Sequence, residues 1–429
     1  MTAARPLIAV VYDAGAVPAG EIGAGLADHA DVVFLVPPDS AHVEQLRPVM
    51  RLLGEVRTLS GEQDRDDALV RSLAPDAVLT FSERMIRPAA RLAAAAGRGG
   101  PSEHTARLFT DKGLQRLALR EAGVDKTRTQ VLDSLEQWEA ALEAVGLPAI
   151  VKPVTGWSSR DTYAMPDAQA ARQVHERLKG IFAQAPGARF ILEEFLEGRT
   201  DDAPFGDYVS VESACTPKRI NHFVLTGKTP VVPPFRGTGR IWPSHLPEAE
   251  QEEIHDLVTR ALRAVGADRG FTHTEVKLTP DGPRIIEING RISAHIAMMA
   301  RESLGVDLVW AGARIALGLE PDLPAFDFGG KVHFQYNNLA PVAPARLEAV
   351  HGGSEVRSLP GITAYRGFAR PGDELPGGPG TVCLDTISGV CEDHPAAAEL
   401  IDRARRTLVF DLRLGQEAVR IRGIDLPGY

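Results

Sequence analysis

The sequence has little cysteine: Cys215, Cys383 and Cys391 are the three that occur in 429 residues. Three scattered cysteines are too few for a disulfide framework in a chain of this length. Cys383, Cys391 and His394 lie near one another in sequence, but their spacing matches no common zinc pattern. We therefore expect ordinary thiols at these positions.

An excess of basic residues is also lacking, since 57 acidic residues outnumber 47 basic ones and give a net charge of -10. This balance disfavours a nucleic-acid partner, because phosphate contacts need clustered Lys and Arg. No apolar run approaches the roughly 20 residues that cross a bilayer, and the N-terminus lacks a signal-peptide cleavage pattern. We expect a cytoplasmic protein that acts on small molecules, without a membrane partner.

Strand-like and helix-like segments alternate in the first hundred residues. Apolar runs at 7–12, 31–36 and 77–81 predict buried parallel strands, and residues 62–73 predict a helix between them. This alternation favours a doubly wound α/β domain over residues 1–107. No GxGxxG follows the first strand, so a dinucleotide site is not expected there.

The rest of the chain is long enough for further packed units. Residues 108–188 predict a central subdomain with a phosphate-binding loop, and residues 189–429 predict a second lobe. From about residue 330 this lobe reads as a β-rich capping region. Residues 227–247 are rich in proline and glycine, which predicts a long functional loop.

Residues 271–291 read FTHTEVKLTPDGPRIIEINGR, in which two strand-like runs flank a turn signal. This pattern predicts a β-hairpin. Symmetric pairing about the turn places Glu275 opposite Glu287 and Lys277 opposite Ile285. Opposed side chains lie about 5 Å apart at Cβ, so the two carboxylates would repel each other. A divalent cation between them would remove that repulsion.

Alternation along the second strand sends Glu287 and Asn289 to one face and Ile286 and Ile288 to the core. Hard oxygen ligands suited to Mg²⁺ would then come from Glu275, Glu287 and Asn289. The alternatives are a solvated face with scattered charges, or a register slip of one residue that disperses the cluster.

Several cationic and hydroxyl side chains precede or follow this hairpin. Lys152 lies in an apolar strand, where a lone lysine is costly to bury unless an anion such as a nucleotide phosphate meets it. The alternative is a lysine that snorkels to the surface. Ser158 and Ser159 lie in a following loop whose N–H and hydroxyl groups suit phosphate oxygens. Arg291, after the hairpin, would stabilise charge that develops during phosphoryl or acyl transfer.

The order of these segments resembles the ATP-grasp superfamily over residues 75–320. The matching strings are Asp-Lys at 111–112, IVKP at 150–153, the Gly/Ser loop, LEEFLEG at 192–198, and EINGR at 287–291. THTEVKL at 272–278 looks most like the branch of bacterial L-amino-acid ligases and carnosine-synthase-like enzymes. The resemblance implies an α/β chain in which a doubly wound domain precedes a two-lobed ATP-grasp domain of α+β type.

The resemblance also assigns roles to individual residues. The implied ATP-binding residues are Lys112, Lys152, Ser158, Ser159, Glu193, Glu194, Leu196 and Asp207, with Glu193 and Leu196 at the adenine edge and Asp207 at the ribose. Glu275, Glu287 and Asn289 would hold one or two Mg²⁺ ions, with Mn²⁺ as an alternative. The implied catalytic residues are Lys152, Glu287 and Arg291. Without the resemblance, Glu193 and Glu194 read as ordinary strand-edge charges.

The implied reaction joins a small acid to an amine. Attack of the carboxylate on the γ-phosphate of ATP gives an acyl phosphate and ADP, and the amine then displaces phosphate. Candidate substrate contacts are Glu83, His273, Arg236, Trp242 and His295; His295 is expected one turn into a helix after Arg291, and a core or surface histidine is its alternative.

The expected assembly is a homodimer. Gly237 stands where the resemblance predicts a glutamate, which weakens the assignment of the amine. The rival functions are carboxylation of the biotin-carboxylase kind, ligation to a thiol, and non-catalytic ATP binding.

Overall fold

The structure is a computed structural model that describes residues 4–156, 160–378 and 380–429. Its first unit is a parallel sheet in the strand order β3-β2-β1-β4. The elements are β1 (Leu7–Val11), α1 (Ala19–Leu26), β2 (Asp31–Val36), α2 (Ala41–Leu53), β3 (Glu55–Thr58), α3 (Gln63–Leu73), β4 (Ala77–Leu79), α4 (Ile86–Ala95) and α5 (Glu103–Thr110).

Both faces of this sheet are buried. In β1, Ile8 and Val10 pack into one apolar core while Ala9 and Val11 pack into a second. A strand covered on both faces must be apolar throughout, and this is why β1 lacks a polar alternation. The predicted doubly wound α/β domain is confirmed.

The second unit is a four-stranded sheet in the order β5-β8-β6-β7. It follows α6 (Lys112–Glu121) and contains β5 (Thr129–Leu132), α7 (Trp138–Val145), β6 (Ala149–Pro153), β7 (Tyr163–Met165), α8 (Ala168–Gln184) and β8 (Phe190–Glu194). Strand β8 begins after the predicted boundary at residue 188, yet it pairs with both β5 and β6. We therefore propose that the central subdomain extends to the end of β8.

The third unit is an eight-stranded antiparallel sheet in the order β13-β12-β9-β10-β11-β14-β18-β16. A smaller sheet, β17-β15-β19-β20, packs beside its far end. The elements are β9 (Tyr208–Cys215), β10 (Ile220–Lys228), β11 (Gly239–Trp242), α9 (Glu248–Ala264), β12 (Gly270–Thr279), β13 (Gly282–Asn289), α10 (Ile296–Leu304), α11 (Leu308–Ala316), β14 (Val332–Leu339), β15 (Ala345–His351), α12 (Gly353–Arg357), β16 (Ile362–Gly367), β17 (Glu374–Leu375), β18 (Cys383–Cys391), α13 (His394–Thr407), β19 (Val409–Leu414) and β20 (Glu417–Arg422).

One sequence expectation about this unit is refined. The segment 227–247 is not a loop throughout, because β11 pairs with β10 and β14 inside it.

None of the described helices of the chain combines the length and apolar character needed to cross a membrane.

The predicted hairpin is β12–β13, and Glu275 does lie opposite Glu287. Nearer the turn the prediction was wrong: Lys277 lies opposite Arg284 rather than Ile285. The turn is shorter than expected, since Thr279 pairs with Gly282, and a β-bulge at Ile286 restores the register farther along. A bulge inserts one extra residue and changes which side chains face the core.

The bulge decides which isoleucines are buried. Ile285 and Ile288 are each 1% exposed and belong to the same core, whereas Ile286 is only half-buried. The sequence had instead predicted Ile286 and Ile288 as the core pair. An unbulged strand would put residues 285 and 288 on opposite faces.

We predict that Ile285→Ala and Ile286→Ala differ in stability. Ile285→Ala should lower the free energy of unfolding by roughly 2–5 kcal/mol through lost contacts and a cavity, and Ile286→Ala by about 1 kcal/mol. Urea-induced unfolding of the two variants measures this difference. A larger loss for Ile286→Ala would mean that the bulge is misplaced.

Candidate active site

The opposed carboxylates of β12 and β13 are met by a lysine from α6. Lys112 Nζ lies 3.3 Å from Glu287 Oε2 and donates a hydrogen bond to the Gly156 carbonyl at 3.0 Å. Asn289 donates its amide to Glu287 Oε1 at 3.1 Å. Burial alone would raise the pKa of Glu287, but Lys112 and Lys152 lower it, so this carboxylate is held ionised.

Glu275 is engaged on its other side by a buried histidine. His273 is 4% exposed, and its ring nitrogens lie 2.5 Å from Glu212 Oε1 and 3.2 Å from Glu275 Oε1. Burial lowers the pKa of His273, but the carboxylates of Glu212 and Glu275 outweigh that effect and raise it. His273 stays a predicted substrate contact, but both of its ring nitrogens are already engaged by acids of the protein.

Glu212 was missed by the sequence reasoning, although a signal for it exists. It is fully buried in β9, whose residues are otherwise apolar or small, and it also accepts a hydrogen bond from the Ser293 N–H at 3.1 Å. A lone carboxylate in such a strand requires a cationic partner, because burying an unpaired charge is costly.

Lys152 is buried as predicted, at 7% exposure, but the anion beside it is a carboxylate of the protein. Its Nζ lies 2.8 Å from Glu193 Oε2, and Arg116 Nε lies 2.8 Å from Glu193 Oε1. Burial alone would raise the pKa of Glu193, yet Arg116 and Lys152 lower it to about 2. The Glu193 side chain is therefore ion-paired with both Arg116 and Lys152, and these two cations share its one negative charge.

Arg116 was also missed by the sequence reasoning, and it joins three elements. Besides Glu193 it binds Asp125 at 2.8 Å, and its Nη atoms donate to the carbonyls of Ile285 and Ile286 at 2.7 and 2.8 Å. Those carbonyls lie at the bulge in β13. A bulge leaves backbone groups unpaired in the ladder, so Arg116 satisfies them and fixes the hairpin against α6 and β8.

Arg291 lies against the N-terminal unit. Its Nε is 2.9 Å from Glu83 Oε2, on the 3₁₀ turn Glu83–Met85 that follows β4. Burial raises the pKa of Glu83, although Arg291 and Lys112 act in the opposite direction. The predicted residues Glu83 and Arg291 are thus brought together beside Glu287.

Two of the predicted pocket residues have other positions. Arg236 is 2% exposed and donates to the carbonyls of Pro233 and Ala340, so it fastens the Pro-rich segment. Trp242 is fully buried and donates to Thr226 Oγ1 at 2.8 Å. Arg236 borders a cavity of about 10 Å³, which is too small for a substrate, and Trp242 has no exposed surface, so both assignments were wrong.

His295 lies outside the helix in which the sequence placed it. Helix α10 begins at Ile296, and His295 is its N-cap with φ 66°. Burial, followed by the charge of Arg240, lowers the pKa of His295 to about 3, so its ring is neutral at physiological pH.

The other residues predicted to bind ATP stay predictions, and the structure gives their present contacts. Glu194 is ion-paired with Arg128 at 2.7 Å and Arg284 at 3.2 Å. Asp207 accepts from Lys277 Nζ at 2.6 Å. Leu196 is half-buried just after β8. Ser158 and Ser159 fall outside the described residues.

The donor set at the hairpin fits a hard cation. Glu275, Glu287 and Asn289 offer two carboxylates and an amide carbonyl on one face, which suits Mg²⁺. Within residues 4–156, 160–378 and 380–429, no group of three or more His, Cys, Asp or Glu side chains is arranged to hold a metal ion. A magnesium ion here would therefore be held by a mixed set, in which Asn289 joins the two carboxylates. The three cysteines are free thiols, as expected.

Comparison with known proteins adds a family signal. Residues 145–299 match the family described as ATP-grasp domain. Alanine–anticapsin ligase of Bacillus subtilis is 29% identical over 304 residues, which are 67% of this chain and 62% of that protein. Carnosine synthase 1 of Gallus gallus is 33% identical over 140 residues, 32% of this chain and 14% of that protein. This chain thus spans under two-thirds of the length of either relative.

The architecture matches over a longer stretch. The crystal structure of an L-amino acid ligase from Bacillus licheniformis superimposes with a TM-score of 0.75 at 19% identity, covering 95% of this chain and 98% of that one. At this identity the likeness establishes the fold alone.

We predict that Arg116→Met destabilises the chain far more than Arg128→Met. Removing Arg116 leaves Glu193 and Asp125 buried without their main cation, which should cost roughly 3–5 kcal/mol. Arg128 is 58% exposed and pairs with Glu194, so its loss should cost under about 1 kcal/mol. Urea-induced unfolding compares the two, and equal losses would contradict the central role of Arg116.

Proposed function

We propose that this chain is an ADP-forming carboxylate–amine ligase of the ATP-grasp superfamily, acting on small amino-acid-like substrates. The observation that carries the proposal is the opposed pair Glu275 and Glu287, ringed by cations from three separate elements. Lys112 comes from α6, Lys152 from β6, and Arg291 from the segment after β13. Such an arrangement suits a polyphosphate held together with a divalent cation.

ATP would take the place of protein carboxylates on two of these cations. Lys152 and Arg116 share Glu193, and Lys112 pairs with Glu287, so both lysines have a buried ammonium group that can turn to a phosphate. Mg²⁺ bound by Glu275, Glu287 and Asn289 would neutralise charge on the β- and γ-phosphate oxygens.

The chemistry needs positioning more than a covalent nucleophile. An oxygen of the acid forms a bond to the γ-phosphorus while the bond to the bridging oxygen of ADP breaks. The amine nitrogen then attacks the acyl carbon, phosphate leaves, and the amine proton passes to solvent. Arg291, held by Glu83, lies where its guanidinium would stabilise the negative charge of the acyl phosphate and its tetrahedral successor.

Gly237 has no side chain that could bind an amine in place of the expected glutamate. An added Cβ at this position would lie 3.1 Å from Tyr208 Oη. A homodimer and a cytoplasmic location stay predictions. Carboxylation, thiol ligation and non-catalytic ATP binding are the outcomes that the next experiment separates.

We predict that ADP release from ATP and Mg²⁺ rises when a suitable acid is added, and that an amine raises it further. The measurement is coupled ADP release with panels of acids and amines, together with hydroxylamine trapping of the acyl phosphate. If no pair of acid and amine raises ADP release above background, the ligase assignment fails.

A matched pair of variants tests the carboxylate site in the same assay. Glu287→Ala should reduce turnover by roughly 10²-fold or more, because it removes a metal ligand and the partner of Lys112. Asp281→Ala removes an exposed acid at the turn of the same hairpin and should leave turnover unchanged. Similar activities in the two variants would argue against the assigned site.

A further inference from the structure

Two cations face each other across neighbouring strands on the same sheet as the carboxylate pair. Lys228, the last residue of β10, lies directly opposite Arg240 of β11. Like charges at directly opposed positions destabilise a sheet. Like Glu275 and Glu287, the pair therefore needs a partner of opposite charge, which here is an anion.

The protein does not compensate this pair locally. Lys228 is 6% exposed, and within the described chain its ammonium group makes no hydrogen bond or ion pair. Arg240 donates one hydrogen bond, to Gln335 Oε1 at 2.5 Å, while its buried Nε has no acceptor among the described residues. The Nε2 of Gln335 also lacks an acceptor in that part of the chain. Unmet donors from three strands thus converge.

The two acids that act on Lys228 are already hydrogen-bonded to another residue. Glu212 and Glu275 act on Lys228 electrostatically, but His273 lies between them and is hydrogen-bonded to both. Burial, followed by the charge of Arg240, lowers the pKa of Lys228 to about 8, which leaves it cationic at neutral pH. A buried cation pair with unmet donors has the chemistry of a site for an anionic oxygen group.

The distance to the carboxylate pair limits the size of the ligand. Strands β12 and β10 are separated by β9 alone, so they lie two strand spacings, or about 10 Å, apart. Glu275, Ser210 and Thr226 form one cross-strand row, and Lys228 lies two residues after Thr226 on β10, so it shares the face of Glu275 about 7 Å farther along the strand. A small molecule can therefore have one end at the metal ligands and its other end at Lys228 and Arg240.

We propose that Lys228 and Arg240 bind a substrate carboxylate other than the one that is phosphorylated. The reaction in which this carboxylate would take part rests on the proposed ligase function. The binding of the carboxylate is inferred from Lys228 and Arg240 alone. The carboxylate has two sources: a dicarboxylic acid of about five carbons as the activated acid, or the free carboxylate of an amino acid as the amine. In either case the bidentate guanidinium and the ammonium group replace water on the anion.

The test is calorimetric titration of the full chain with two matched pairs of probes, glutarate with glutaramate and alanine with alaninamide. If the acid carries the anion, Lys228→Met and Arg240→Met should each weaken glutarate binding about tenfold or more, the loss of a charge-assisted hydrogen bond, and leave glutaramate unaffected. If the amine carries it, alanine should lose affinity and alaninamide should not. Arg240→Lys, which keeps the charge, should retain part of the binding and also controls for misfolding.

The control variant is Lys218→Met, at a lysine whose side chain is 80% exposed, and its binding should match that of the unsubstituted chain. Equal affinities for both members of each pair, in every variant, would overturn the inference. Because the titration needs no ATP, the two proposals fail separately. Charge-dependent binding without ADP release would refute the ligase function alone, whereas ADP release without charge-dependent binding would refute the cation-pair site alone.

Discussion

Two carboxylates at directly opposed positions of a hairpin are the constraint around which this site is built. Glu275 and Glu287 repel each other, and each has a partner from another position: His273 for Glu275 and Lys112 for Glu287. We propose that a divalent cation bound by both acids removes the remaining repulsion.

The position of that hairpin is fixed by hydrogen bonds between Arg116 and the backbone at the β-bulge. Arg116 binds the carbonyls exposed at the bulge and, with its other nitrogens, Glu193 of the central sheet. Through Glu193 the same arginine holds Lys152 near Glu287. The proposed metal ligands and the lysine proposed to bind phosphate therefore share one structural support, even though they belong to different sheets.

The sequence revealed the elements whose signals are local. Apolar runs and turn residues predicted the parallel sheet and the hairpin, and strand alternation predicted that Glu275 opposes Glu287. The bulge at Ile286 was not predictable, since no glycine or proline marks it. The partner of Lys152 was not predictable either. A buried lysine requires an anion, but the sequence does not show that this anion is the carboxylate of Glu193 rather than a nucleotide phosphate.

The acceptor pocket was the least predictable part. Arg236 and Trp242 have the residue types of a binding loop, but tertiary contacts bury them, and periodicity gives no sign of this. Lys228 and Arg240 were overlooked because their significance comes from cross-strand register between segments separated by the Pro-rich loop. Two like charges at opposed positions of a sheet can be recognised only when the register of the two strands is known.

The most direct test of the central constraint is anomalous scattering from crystals grown with Mn²⁺ and ADP. The account predicts a manganese peak between the carboxylates of Glu275 and Glu287, within coordination distance of Asn289 and a nucleotide phosphate. A nucleotide bound with no metal between these two carboxylates, or a metal held elsewhere, would contradict it.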